Sequence, residues 1–553
     1  MRKLVILILT FALTNCVLAQ DEKKVKKVPT TYDRSSLTVL FVDNQAANHW
    51  GEVKEHIPKI VFSDKYNNNN LESLYISPNL SRKAVDKVQS DIANSLKEVG
   101  IAKDIVAKWY SRKPDGSMNM DLVHERGRFS ATDADFLRAQ TSKRGNAALE
   151  EFGNRLINLS YILVLDIKNV KTMAEAGVEK TKGWQANVTG YLYKIDFNDE
   201  VKYAFYDTWI YDDDTDEVKA QKLKAFEALS VPIEPVIQKS MNITSSQPES
   251  DTGLGVFVKP KSNEQLLQEL LQKSYDEIIY RIEKDVEEFK VKTSLYETRP
   301  LRAKIGLKEG LKTDARFFVY EYVYNSKKNK AEPKRRGVIR AGSKSKITDN
   351  RKVAVGDMGT SKFYQVHGRK LEPGFILQQQ NDMGIEISLG AEVGEIGGGY
   401  GRLDYRLGRF VGIRSLFVYL EAGFDAGDYP SALAYLDPSG EESFVFLRYG
   451  GGIAKGMQLT RNLELRPYVG IGIESASNDE NTGDDAPSAL YFKPGANVAL
   501  NLTHNFQLTG GIGAYLFISD AESENAGTYE ASWDTVFENR LGPSAFVGIK
   551  FGF

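Results

Sequence analysis

From Gly384 to Phe553 apolar and polar positions alternate with a period of two. Ile385, Ile387, Leu389, Ala391 and Val393 share one face, and Glu386, Ser388, Gly390 and Glu392 share the other. Successive side chains of a strand point to opposite faces, so this pattern predicts a strand with one apolar side. The same pattern predicts further strands near 400 to 407, 413 to 424, 444 to 455, 463 to 474, 489 to 502, 506 to 518 and 544 to 553, eight in all. The sixth is the clearest: Leu490, Phe492, Pro494, Ala496, Val498, Leu500 and Leu502 alternate against Tyr491, Lys493, Gly495, Asn497, Ala499 and Asn501. Each run is about the 9 to 11 residues that a tilted strand needs to cross the hydrocarbon layer of a bilayer.

The connections alternate as well. Gly408-Arg409, Gln458 to Asn462 and Leu502 to Asn505 are short, and the last two share a Leu-Thr-x-Asn core suited to tight turns. The intervening links, near 425 to 442, 475 to 488 and 519 to 541, are long and hold 15 acids against the single base Arg540. Tight turns at one end and long loops at the other are the habit of an outer-membrane barrel, with the turns periplasmic. On these features the segment 383–553 resembles the OmpA-type outer-membrane β-barrel domain. The closing Val547, Ile549, Phe551 and Phe553 resemble the C-terminal signal read by the barrel assembly machinery. The resemblance implies an eight-stranded antiparallel transmembrane barrel, outer-membrane lipid and that machinery as partners, and the envelope of a Gram-negative bacterium.

A soluble sandwich or lipocalin-like barrel shows the same alternation, so the polar face must decide. It carries Glu386, Glu392, Arg402, Asp404, Arg406, Glu421, Arg448, Glu464, Arg466, Glu474, Lys493 and Lys550, six acids and six bases. Such balance suits a narrow lumen filled by paired charges, whereas a solvated surface needs no matching. These twelve residues form the expected lumen charge network.

Ahead of the barrel the pattern changes. Leu37 to Val42 and Tyr161 to Ile167 are nearly continuous apolar runs, the mark of strands covered on both faces. Ala84, Val85, Val88, Ile92, Leu96 and Val99 recur at helical spacing before a Gly100 cap. Trp184 to Phe197 and Val201 to Ile210 read as a hairpin around Asn198-Asp199. Asp214 with Glu217, and Ser262 with Gln265, read as capping boxes, the second opening an amphipathic helix that reaches Phe289. Thr244 to Gly255 reads as a linker. From Thr298 to Gln380 helical signals vanish, and Phe317 to Tyr324, Val338 to Ala341, Phe363 to Val366 and Phe375 to Leu377 read as strands. The opening Lys304 to Gly310 resembles the small β-barrel modules of periplasmic assembly factors, over too few residues to imply a function. The expected organisation is multidomain: a signal peptide (1–19), a periplasmic α/β domain (20–296), a small β module (297–380) and the barrel (383–553).

Charge and composition sharpen this division. Of 553 residues, 72 are Lys or Arg and 74 Asp or Glu. Residues 383–553 hold 11 bases and 22 acids, a net of −11, which leaves 61 minus 52, or +9, for the remainder. With no global basic excess, nucleic acid is not expected as a partner. The tail also holds 27 of the 46 glycines. At the other end Met1-Arg2-Lys3, the apolar Leu4 to Leu13 and Val17-Leu18-Ala19 have the order of a secretory signal peptide, which puts the mature start at Gln20. In the alternative, Leu13-Thr14-Asn15-Cys16 is a lipobox, with Asn15 where a small residue is usual, and Cys16 carries lipid.

One cysteine and five histidines exclude zinc clusters and disulfide frameworks, and neither metal nor cofactor is expected. Asp43 and Asp166 each close an apolar strand, where carboxylates can line an α/β crevice, bind metal or act as a general base, and where they also serve as turn formers. No phosphate loop, nucleophile elbow or paired-histidine motif accompanies them. His49 beside Trp50 reads as packing, and His124 and His367 have no partners in sequence. Lys327, Lys328, Lys330, Lys334, Arg335 and Arg336 read as a hairpin tip, or as a contact with anionic lipid or envelope polymer. The Asp479 to Asp485 loop lacks the ligand spacing of a calcium loop. The expected function is therefore non-enzymatic: an outer-membrane barrel anchoring residues 20–380 in the periplasm, where an envelope component is the partner, for envelope architecture or assembly. A lipid-modifying enzyme would need a Ser/His constellation at the outer rim, yet the one barrel histidine, His504, falls in a periplasmic turn. A small-solute pore is disfavoured because eight strands leave an interior only wide enough for side chains.

Overall fold

A computed structural model describes residues 34–80, 85–130, 153–249, 260–325, 330–351, 359–430, 441–478, 486–523, 527–533, 537 and 540–553. The expected signal peptide, Cys16 and the Asp479 to Asp485 loop lie outside them.

The first region is an α/β/α layer structure. Its strands are β1 (Ser36–Val42), β2 (Tyr75–Ile76), β3 (Ser160–Thr172), β4 (Thr181–Ile195) and β5 (Ile233–Pro248), in the sheet order β2-β1-β3-β4-β5. β1 runs parallel to β2 and β3, and the other neighbours are antiparallel. Every residue of β1 is buried because both faces are covered. Leu37, Val39 and Phe41 pack with Leu266, Leu270 and Ile278, while Leu40 and Val42 pack with Val88, Ile92 and Ile105.

The helices supplying these layers are α1 (Trp50–His56), α2 (Val85–Val99), α3 (Ile101–Trp109), α4 (Asp121–Ser130), α5 (Asp199–Tyr206), α6 (Asp216–Ala228) and α7 (Asn263–Asp285). Gly100 ends α2 with a φ of 79°, as expected of a left-handed cap. Ser262 and Gln265 cap α7 reciprocally, at 3.2 and 2.9 Å. Among the described residues no helix is long and apolar enough to cross a membrane.

Several local expectations are corrected here. Val201 to Ile210 is not the second arm of a hairpin: Asn198 caps α5 by accepting from Val201 N, and Val201 and Phe205 bury one helical face. β4 pairs instead with β5, which runs through Thr244 to Pro248, the stretch whose composition suggests a linker. The α6 cap is Thr215, which accepts from Val218 N, one position beyond the Asp214 and Glu217 box.

A six-stranded closed barrel follows. Its strands are β6 (Lys292–Thr298), β7 (Leu301–Ala303), β8 (Arg316–Asn325), β9 (Lys330–Ala341), β10 (Ser361–Gly368) and β11 (Ile376–Gln380), in the order β10-β7-β6-β11-β8-β9. β6 crosses the expected 296/297 boundary, so the module begins near Val291, whose side chain joins its core of Leu295, Phe317, Val319, Ile339 and Leu377.

The tail is a ring of eight antiparallel strands: β12 (Ile385–Gly394), β13 (Gly398–Tyr405), β14 (Leu416–Pro430), β15 (Glu441–Lys455), β17 (Leu463–Ser477), β18 (Ser488–Asn501), β19 (Phe506–Phe517) and β22 (Gly542–Gly552). Each pairs with the next, and β22 returns to β12. The short β16 (Met457–Gln458) pairs antiparallel with β17, and β20 (Asp520–Ser523) with β21 (Gly527–Ser532) forms a hairpin joined to β18. The link between β13 and β14 is not the tight Gly408-Arg409 turn. It spans 406–415 and contains a short helix, α8 (Gly408–Val411).

Candidate functional site

Alternation along the eight strands sorts side chains into an apolar exterior and a charged interior. Ile471 is 64% exposed, Ile512 70% and Val547 68%, whereas Glu474, Lys493 and Arg466 are buried. A water-soluble barrel has the opposite distribution. Apolar groups exposed around a closed ring, with every strand edge paired, are what a bilayer accepts.

All twelve of the expected lumen residues are buried in the interior, and the ion pairs fall into connected groups. Toward the module, Arg466 contacts Glu386 at 2.8 Å, Glu464 at 2.6 Å and Asp404 at 3.6 Å. Glu386 also receives Arg406 at 2.7 Å and Lys550 at 3.4 Å. Arg402 pairs with Asp404 at 2.8 Å and lies over the Tyr419 ring, 3.6 Å from its centroid. Midway, Lys493 bridges Glu392 at 2.8 Å and Glu421 at 3.3 Å, and Tyr515 and Tyr400 donate to those same two carboxylates. At the far end Arg448 contacts Glu392 and Glu474, each at 3.3 Å.

The glycine excess belongs to this packing. A Cβ at Gly470 would meet Tyr419 Oη at 2.3 Å, one at Gly472 would meet Tyr491 Oη at 2.4 Å, and one at Gly495 would meet Tyr468 Oη at 2.3 Å. Interior glycines therefore make room for tyrosine rings, and rings and ion pairs together fill the bore.

Three contributors escaped the strand pattern because they come from outside the strands. Arg540, the lone base of the long links, folds back to contact Glu474 at 2.5 Å and Asp425 at 3.1 Å, beside the cluster of Phe444, Phe446, Trp533 and Phe537. Asp314 of the small module lies 3.6 Å from Arg406 and accepts from Ser415 N and Tyr364 Oη, both at 2.8 Å. Asp382, in the connection between module and barrel, pairs with Arg340, with Arg409 at 3.4 Å and with Arg316 at 3.9 Å. Burial pushes the Asp382 carboxyl up, but Arg340, Arg406 and Arg316 outweigh it and hold it well below the usual carboxylate range.

The module thus closes one mouth of the barrel. Asn501 donates to Val366 O at 2.7 Å, His367 Nδ1 lies 3.1 Å from Asn501 O, and Gly368 N donates to Asn462 at 2.8 Å. The His504 ring meets Phe318 edge-on, with centroids 5.1 Å apart. Burial, then Arg335 and Arg316, pushes its pKa down to about 4. A cavity of about 30 Å³, room for water, lies between module and lumen.

The remaining sequence candidates have structural surroundings. Asp43 accepts from Trp50 Nε1 at 2.6 Å, Gln45 at 2.9 Å and Lys54 at 3.3 Å, and the buried Asp166 accepts from Asn44 at 2.9 Å. His49 contacts Glu52 and Glu175 and packs edge-on against Trp184 rather than its neighbour Trp50. Of the basic run, Arg335 lies over Phe318 and Arg336 pairs with Glu321 across the β8–β9 hairpin; Lys327 and Lys328 lie outside the described residues. Among the described residues no group of three or more His, Cys, Asp or Glu side chains is placed to hold a metal ion. Val547, Ile549 and Phe551 lie on the ladder between β12 and β19, with Phe553 just beyond, its carbonyl accepting from Met383 N.

No protein-family model matches the chain, and no curated protein does. Among solved structures, a major outer membrane protein from Thermus thermophilus is 16% identical over 31% of this chain and 99% of its own, at a TM-score of 0.22. Neisserial surface protein A is 14% identical over 31% of this chain and 94% of its own, at 0.21. The N-terminal β-barrel domain of Pseudomonas aeruginosa OprF is 16% identical over 32% and 100%, at 0.19. These likenesses cover about a third of the chain. It is the ring of pairings from β12 to β22 that makes the tail an eight-stranded antiparallel barrel.

Proposed function

We propose that the chain is a non-enzymatic outer-membrane protein whose barrel anchors the region ahead of it in the periplasm, serving envelope architecture or assembly. The observation that carries this is the plugged bore: paired charges and tyrosines fill it, and the small module is bonded across one mouth. A barrel so filled offers no path to solutes, and its use is to hold what is attached to it. The module end has the compact links of 456–462 and 502–505, and the opposite end has the long acidic ones. That asymmetry supports a periplasmic module and surface-facing acidic loops. The partner on the periplasmic side is an envelope component.

Fractionation followed by single-channel recording tests this. The intact chain should co-sediment with outer membranes, migrate faster on gels before heating than after, and give no stable conductance in planar bilayers. Release into the soluble fraction by osmotic shock sinks the anchor reading, and a large, stable open channel replaces it with a transporter.

A further inference from the structure

A cleft of about 380 Å³ opens where the small module meets the barrel rim. Four cations from four separate turns line it. Arg299 follows β6 and Lys370 follows β10, both in the module, while Arg414 precedes β14 and Arg461 precedes β17, both in the barrel. All four are exposed, and among the described residues no Asp or Glu lines the cleft. Among the described residues none of the four has a carboxylate partner. By contrast, Arg340 and Arg409 are neutralised by Asp382, and Arg336 in the module by Glu321. Four like charges gathered without counter-charge repel one another, so the cleft is arranged for an anion supplied from outside.

The cleft is also one-sided in polarity. Leu459, 56% exposed, forms part of its wall, and the exposed Met457 stands two residues away at the foot of the lipid-facing surface. Ile413, next to Arg414, is exposed as well. A free phosphate or a polar polymer has no use for that apolar edge, whereas an amphiphile with an anionic head does. Guanidinium groups bind phosphate through paired hydrogen bonds, and the lysine adds a point charge. We infer that this cleft binds the headgroup of an anionic phospholipid in the leaflet facing the module, with the acyl chains lying along the barrel from Leu459 and Met457. The inference rests on the barrel spanning a bilayer.

The full chain is reconstituted into phosphatidylcholine nanodiscs containing a minority of phosphatidylglycerol, and the lipids retained on release are counted by native mass spectrometry. The wild type should retain phosphatidylglycerol in excess of its share. R299Q/K370Q and R414Q/R461Q, made separately so that one folded variant suffices, should each lose that preference by about fivefold per cation removed, the factor equivalent to roughly 1 kcal/mol per basic residue at an anionic surface. K59Q/K224Q, which removes exposed lysines of the α/β region, should retain the wild-type preference. Equal retention of both lipids by the wild type, an equal loss in the control variant, or displacement of phosphatidylglycerol by millimolar inorganic phosphate would each overturn the lipid site. Heat-modifiable mobility in pure phosphatidylcholine separates the two questions, since a chain that inserts there but shows no lipid preference refutes only the cleft.

Discussion

Asp314, a residue of the small module, lies 3.6 Å from Arg406 at the mouth of the barrel, and both side chains are buried. The same carboxylate accepts from Ser415 N and Tyr364 Oη, so a single side chain ties two domains together. Asp314→Ala would leave Arg406 with Glu386 as its one remaining contact carboxylate and strand the Ser415 N donor. A loss on the order of 3 kcal/mol is expected. It should appear as a lower temperature for loss of the heat-modifiable form and as faster proteolysis near 381–384.

Within the bore each charge relies on its neighbours for neutralisation. Arg448→Ala or Glu464→Ala should cost about 3 to 5 kcal/mol, the range for breaking a buried pair by removing one partner. Leu500→Ala, on the outward face, removes packing against lipid only and should cost less. Urea unfolding in vesicles, followed by gel mobility, ranks the three variants. An Arg448→Ala barrel as stable as Leu500→Ala would show that the network is solvated.

The junction should weaken in acid. His504 titrates near 4 in the folded chain, below the value of about 6.5 for a free imidazole. It is therefore neutral in the fold, and the unfolded chain binds the extra proton first. The stability this supplies is complete above about pH 6.5 and is lost as the pH falls toward 4. His367, also pushed down by burial, adds in the same direction. Protease release of the module should rise across that window, and His504→Gln should flatten the profile.

The front regions own their cores. The two apolar clusters of the α/β sheet and that of the small module draw on no residue beyond Leu377. Residues 20–380 should accordingly fold without detergent, as judged by circular dichroism and light scattering. Arg316 and Arg340 would lose Asp382, so this fragment should melt below the same region in the full chain. Aggregation of the fragment would place the domain boundary elsewhere.

The barrel was legible in the sequence because a period of two is read directly from neighbours, and Glu464, Arg466 and Glu474 share a face by counting alone. What counting misses is chain that folds back from elsewhere. Arg540 sits in a link and Asp314 in another domain, so nothing in their local pattern assigns them to the bore. Val201 to Tyr206 misled for a different reason. Its valine and aromatics have strand propensity, but Val201 and Phe205 are one helical turn apart, and the Asn198 cap settles the choice. β7 was hidden by brevity, having only three residues.

The pairing of β12 with β22 also sets an order in time. The ring's first strand can gain its second neighbour only when the last has been delivered, and every step between leaves a row of unpaired amides. The α/β sheet and the small module, whose strands all precede Gly384, suffer no such wait. On the periplasmic placement proposed above, a finished globule trails an unfinished sheet. Safe delivery depends on how long that sheet can be kept apart from its own kind.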